Sequence, residues 1–463
     1  MKKILLLILL LFSSNIFSQL ANSNMTLLAN RNQHIGGASY SACWGYRAPN
    51  GREYAILGCG TGTAFVEITD TLNIIERAFK TGLTSGWREM KVFSNYCYVV
   101  SEANGSGLQI FDLQYLPDSV RLVTTYTYAG YTRTHSISQS GPYLYLHGGN
   151  VSPGLPNVGG VTVLDLTNPV APVKRGSWGT QYVHDSRILQ DTIWACNIYD
   201  PPLGGVASIF VINATNKDNL TTINSWINNP NPFPHNCAIP LSNRRYILTT
   251  DEKSSPNGKL KIWDRSNLSA PVLAYTWMPT GIITAIVHNV EIYGNYAIVA
   301  HYRAGVRVVN ISNPTAPVEA AWYDTYPSSN SADYSGCWGV FMFPSGKIIG
   351  SDMQTGLYVL KTTFNIVGVN SNENVPVTYK LSQNYPNPFN PTTKIKYEIP
   401  KDHHVKILVY DATGRQVAIL ADEFKRAGSY SVSYDAGRLA SGVYYYSLIT
   451  DDYRQSKKMT LLK

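Results

Sequence analysis

Short apolar stretches and runs of period-two alternation, each bounded by turn residues, fill most of the chain, and no sustained 3.6-residue period occurs after residue 20. This pattern predicts strands throughout. One strand type recurs, apolar and ending in Asp or Asn: Gly107-Leu-Gln-Ile-Phe-Asp112, Gly160-Val-Thr-Val-Leu-Asp165, Ser208-Ile-Phe-Val-Ile-Asn213, Leu260-Lys-Ile-Trp-Asp264 and Gly305-Val-Arg-Val-Val-Asn310. Weaker copies at Ala64–Asp70 and Gly356–Leu360 bring the count to seven. After the strand, stretches such as Asp165-Leu-Thr-Asn-Pro-Val-Ala-Pro-Val173 predict a turn in which the Asp or Asn oxygen accepts from the N–H two residues on. The prolines remove donors and end the pairing.

An aromatic-rich strand such as Asn295–His301 precedes each of these, and before it lies another that opens with Trp or His. Each repeat therefore holds four strands. The openings are Trp44, Trp87, His135, His184, His235, His288 and Trp338, at gaps of 43, 48, 49, 51, 53 and 50 residues. Four strands every 40–50 residues is the signature of a β-propeller blade, and a ring removes the edges that an open row would expose. The last repeat, Trp338–Leu360, has only three strands, so residues 25–30 are expected to supply its fourth and close the ring. A polar linker at 365–378 follows, and then strands at Lys394–Ile399, Val405–Tyr410, Gln416–Leu420, Tyr430–Tyr434 and Gly442–Leu448. The predicted fold is all-β: a seven-bladed propeller over 25–364, then a small Ig-like β-sandwich over 379–463.

Composition sharpens this picture. The chain has 463 residues, 44% hydrophobic and 15% charged, too apolar for disorder. The net charge of +8 is uneven: 2 basic and no acidic residues in 1–18, 23 against 22 in 19–379, and 13 against 8 in 380–463. A nearly neutral body gives no footprint for nucleic acid. Lys2 and Lys3, the apolar run Ile4–Phe12 and the small or polar Ser13, Ser14 and Ser18 match a secretory signal over 1–18. That run is too short to span a membrane, so no transmembrane segment is expected in the mature chain. None of the 6 Cys forms a C-x-x-C pair, and a Cys43–Cys337 bridge across the closing blades is the one pairing suggested by position.

The body resembles the choice-of-anchor B family with its LVIVD-type repeats, through Trp44–Ala55, Ser101-Glu-Ala-Asn-Gly105, Val183-His-Asp-Ser186, Thr250-Asp-Glu252 and Val287-His-Asn289. That family's members share this body and differ in their C-terminal anchoring signals. The resemblance implies a fold and assigns no activity. The tail resembles the type IX secretion (Por) C-terminal sorting domain through Leu381–Thr392, Val409–Gly414, Leu439–Tyr444 and Lys458–Lys463. It implies that the type IX machinery is a partner, that the protein is secreted or held at the outer cell surface, and that the tail is removed.

In an up-and-down blade the start of the first strand and the end of the second share one face. One channel mouth is therefore expected to gather His135, His184, His235 and His288 with Glu89, Glu102, Asp185, Asp251, Glu252, His301 and Asp352. Four neutral imidazoles suit a transition metal, the cofactor such a set would take. A residue copied at one blade position can equally pack and bond to the next blade. There is no H-E-x-x-H, G-x-S-x-G or Walker loop. Two classes stay open: a non-catalytic module binding a protein, glycan or small ligand, and an extracellular metal-dependent enzyme using the four His.

Overall fold

The computed structural model describes residues 22–34, 40–150, 159–198, 207–230, 232–252, 258–366, 379–399, 403–425, 428–450 and 453–462. The signal region 1–18 and nearly all of the linker lie outside them.

Seven antiparallel sheets make the body. Blade one consists of Cys43–Arg47, Glu53–Cys59, Gly62–Glu67 and Ile75–Thr81, paired in that order. The innermost strands of the next six blades begin at Arg88, Ser136, Asp185, Pro234, Val290 and Cys337. Each touches the innermost strand of the next blade, and the seventh touches the first, so the ring is closed. The fourth strand of blade seven is Met25–Arg31, which pairs antiparallel with Gly356–Thr362. Asn22–Ser23 adds a short fifth strand to blade six.

The sequence builds this wheel by local means. Asx turns end the third strands: Asp112, Asp165, Asn213, Asp264 and Asn310 each accept from the N–H two residues on at 2.9–3.0 Å. Every blade also has a register shift between its third and fourth strands, as at Phe65/Val66 and Val308/Val309. A bulge adds twist and makes the outer strand a poor template for another chain.

The core lies between blades. One cluster joins Leu248, Ile262 and Trp277 of blade five to Val290, Val299 and Val309 of blade six. Another joins Ala55, Leu57 and Val66 of blade one to Phe341, Ile349 and Val359 of blade seven. At this closing seam a Cβ on Gly45 would stand 2.1 Å from the Phe341 ring, so only glycine lets the two blades approach. All six cysteines are buried and free. The Cys43–Cys337 pairing that position suggested is not formed, and the Cys337 thiol faces the Gly339 carbonyl at 3.7 Å instead.

The tail is a sandwich of a three-stranded and a four-stranded sheet. The Thr392–Ile399 strand alternates exposed and buried positions, putting Ile395, Tyr397 and Ile399 into a core with Val405, Ile407, Tyr446 and Met459. Two strands, Lys380–Leu381 and Arg454–Leu461, add to the five expected. Buried Asn384 ties down the Pro-rich segment by donating to the Pro386 carbonyl and to Thr393 Oγ1.

Candidate functional site

Blades two to seven each place one aromatic side chain at the same end of the channel. His135 and His184 have ring centroids 3.9 Å apart, His184 and His235 4.3 Å, and His235 and His288 4.1 Å. His288 meets Trp338 at 4.7 Å, and Trp338 meets Trp87 edge-on at 6.5 Å. Together these six form a collar. In blades five and seven the collar residue sits in a bulge, between Pro234 and Asn236 and between Cys337 and Gly339. An extra residue there re-aims the side chain. Trp44, expected at the same position, lies farther along its strand at the level of Lys91, whose ammonium sits 4.0 Å from the Trp44 ring centroid. Blade one thus adds no side chain to the collar, and Trp338 and Trp87 meet across its place.

Carboxylates stand behind the imidazoles. Glu102 Oε1 is 2.6 Å from His135 Nδ1, and Glu252 Oε2 is 2.9 Å from His235 Nδ1. The other oxygen of Glu252 accepts from the Tyr302 hydroxyl and lies 3.8 Å from His288 Nε2. Burial works against the Glu252 charge, but His235, His288 and the bonds from His235 and Tyr302 outweigh it and hold the carboxyl down at about 2. Burial lowers His235, yet Glu252 and Asn289 outweigh that and raise it. Burial, reinforced by neighbouring imidazoles, pushes His184 well down and takes His288 to about 3. His288 Nδ1 must donate to the Trp338 carbonyl at 2.5 Å, so neutral His288 presents a bare Nε2 lone pair to Glu252.

Beneath the collar the channel is plugged by polar pairs. Lys91 Nζ meets Glu89 Oε1 at 2.7 Å, Arg187 meets Glu291 at 2.9 Å, and Asn236 donates to Asp185. A cavity of about 20 Å³ among them has room for little more than one water.

The structure brings Glu89, Glu102, Asp185, Glu252, His135, His184, His235 and His288 to the channel wall and its mouth. It takes three expected residues away. Asp251 is buried in blade five against Lys261 Nζ at 2.7 Å and an Asn228 amide. His301 is buried beside Trp277, with neither ring nitrogen bonded among the described residues. Asp352 is spent on Thr325 Oγ1 and on the N–H groups of Gln354 and Thr355. Each sits at a second-strand end as expected, but strand side chains alternate, and these three face the neighbouring sheet. Tyr302, Arg187 and Glu291 were not singled out from the sequence. The offset from each blade's collar residue would have marked Arg187 and Glu291 as channel-facing, whereas Tyr302 opens the turn to Gly305, whose shape the sequence does not reveal.

Two segments match known families: residues 286–325 the LVIVD repeat, and residues 383–461 the secretion system C-terminal sorting domain. The first match covers the four consecutive strands of blade six, from Val290 to Tyr323. An LVIVD repeat in the propeller and a sorting domain in the tail identify the two parts. The propeller is similar to the WD40 β-propeller domain of Doa1, at 10% identity and TM-score 0.51 over 73% of this chain and 96% of that one. It is also similar to Sqt1 from Chaetomium thermophilum, at 10% identity and TM-score 0.50 over 73% and 97%. These likenesses show the fold alone. PorZ, described as an essential bacterial surface component of the type IX secretion system of Porphyromonas gingivalis, aligns at 12% identity and TM-score 0.46 over 90% of this chain. The chain spans 59% of the PorZ length. No curated protein matches the chain in sequence. The sorting domain marks the protein for export by type IX secretion to the cell surface or the extracellular space. Among the described residues no helix is long and apolar enough to cross a membrane.

Proposed function

We propose that this protein is a non-catalytic binding module of the choice-of-anchor B kind, which leaves the cytoplasm on its N-terminal signal and takes a protein, glycan or small ligand at the collared mouth. The observation that carries this reading is an apolar rim on the loops leading into the collar: Leu83, Trp87, Ile283 and Tyr334 are all exposed, Trp87 by 46%. Such side chains lose water on docking and are normally kept off a surface unless something covers them. The plugged channel supports a mouth-bound ligand over a threaded one. The metal-dependent alternative is supported by a narrower set of side chains than four histidines.

The test is tryptophan fluorescence of the purified mature protein titrated with soluble oligosaccharides, peptides and surface extracts. A saturable change is expected, weakened about 10-fold or more in Trp87→Ala and Tyr334→Ala, with Leu72→Ala on the opposite face as the control. Binding that survives both mouth variants overturns the reading.

A further inference from the structure

Three buried imidazoles and one carboxylate make an unusual set at the inner side of the collar. Donor atoms of His184, His235 and Glu252 all lie within 4.8 Å of one another. His184, only 6% exposed, has an Nδ1 with no partner among the described residues, and so does the Nε2 of fully buried His288. A buried polar atom without a partner is destabilising, so two around one carboxylate indicate a missing partner.

The identity of that partner follows from the lone pairs. Glu252 Oε1 and His288 Nε2 face each other at 3.8 Å, too far for a direct hydrogen bond, and His288 Nδ1 is already engaged with the Trp338 carbonyl. A group set between them would meet a nitrogen and an oxygen at once. A water would have to satisfy these atoms and His184 at once. An ion with nitrogen and oxygen ligands at about 2.0–2.2 Å sits naturally between atoms this far apart. Two imidazoles and a carboxylate suit a first-row divalent metal, whereas Ca²⁺ or Mg²⁺ would call for oxygen ligands. Around it stand the groups that orient such ligands: the Tyr302 hydroxyl on Glu252 and Asn289 Oδ1 2.9 Å from His235 Nε2.

We propose that the propeller mouth holds one divalent transition metal ion of the zinc class on His184, His235 and Glu252, with His288 Nε2 3.8 Å from Glu252 Oε1 beside it. His135 stands outside the group whose ligand atoms lie within 4.8 Å of one another, and its Nδ1 is paired with Glu102 at 2.6 Å. The site deepens the mouth-binding reading and rests on it only in that both use the collar. Three protein ligands leave room for an atom of a ligand seated above.

The experiment uses the untagged full-length mature chain, stripped with chelator and loaded with Zn²⁺ or Co²⁺ alone. One ion per chain is expected, with Co²⁺ giving visible bands of nitrogen and oxygen coordination. His184→Gln and Glu252→Gln should weaken binding about 100-fold or more, while His135→Gln retains the ion. Melting of each stripped variant separates ligand loss from misfolding, and Glu252→Asp, which keeps the carboxylate, should recover part of the affinity. No stoichiometric ion, or an ion kept by both His184→Gln and Glu252→Gln, overturns the proposal. Loss in His135→Gln equal to that in His184→Gln overturns this ligand set. If no ion binds while Trp87→Ala still abolishes ligand binding, only the metal is lost. An ion held by a protein whose mouth variants bind every probe normally leaves the metal and removes the mouth reading.

Discussion

His147 shows how one imidazole holds two blades together. Ser136 Oγ donates to the His184 carbonyl at 2.5 Å, so at 3.0 Å it must accept from His147 Nδ1–H. His147 Nε2 is then the acceptor for Ser186 Oγ at 2.8 Å. This arrangement needs a neutral ring, and burial pushes His147 down to about 4 and His301 to about 3. Because these values lie below that of the unfolded chain, near 6.5, acid protonates the unfolded state first. The stability is fully present above about pH 6.5 and is lost as pH falls toward 4, each histidine contributing a slope of about 1.4 kcal/mol per pH unit. Urea midpoints measured at pH 7, 6 and 5 should fall steeply, and His301→Phe, which removes a ring without bonded nitrogens, should flatten the slope by one such increment. A midpoint independent of pH would contradict this account. Residue chemistry of this sort was half legible in the sequence. The repeated His was visible, but Asp251, His301 and Asp352 stand at equivalent strand ends and differ only in which sheet face they occupy, which bulges and turns decide.

At the scale of elements, the seam between blades one and seven should be the most sensitive part of the wheel. Gly45 and Phe341 meet there from opposite ends of the propeller sequence. Gly45→Ala should cost roughly 1–3 kcal/mol by overpacking, whereas Gly86→Ala, with nothing within 4 Å of its Cβ, should be neutral by the same urea titration. Removing residues 22–31 strips the outer strand from Gly356–Thr362 and leaves a bare edge. Lower stability and concentration-dependent aggregation are expected, read by melting and light scattering, and an unchanged melt would show that closure does not depend on this strand. Strand identity and blade count were legible because apolar runs and Asx turns are local. The seven outer-strand bulges and the position of Trp44 were not, because register depends on partners distant in sequence. The spacing of 43 between Trp44 and Trp87, shorter than every other gap, was the one trace of that offset.

At the scale of the whole molecule, two self-contained cores divide the labour. The tail sandwich buries its own cluster, from Leu381 to Leu461, drawn entirely from tail residues. The propeller stabilises itself blade against blade, and its near-neutral charge offers no reason for it to carry the address. Deleting residues 379–463 should therefore leave the propeller melting unchanged while the protein stops at the periplasm, as fractionation of cells producing the full and shortened chains would show. Export without the tail would mean that the propeller carries its own signal. A shortened protein that fails to fold would mean that the two cores are coupled during biogenesis. Only the combination of retained fold and lost export fits a chain in which the ring folds by itself and the sandwich supplies the destination.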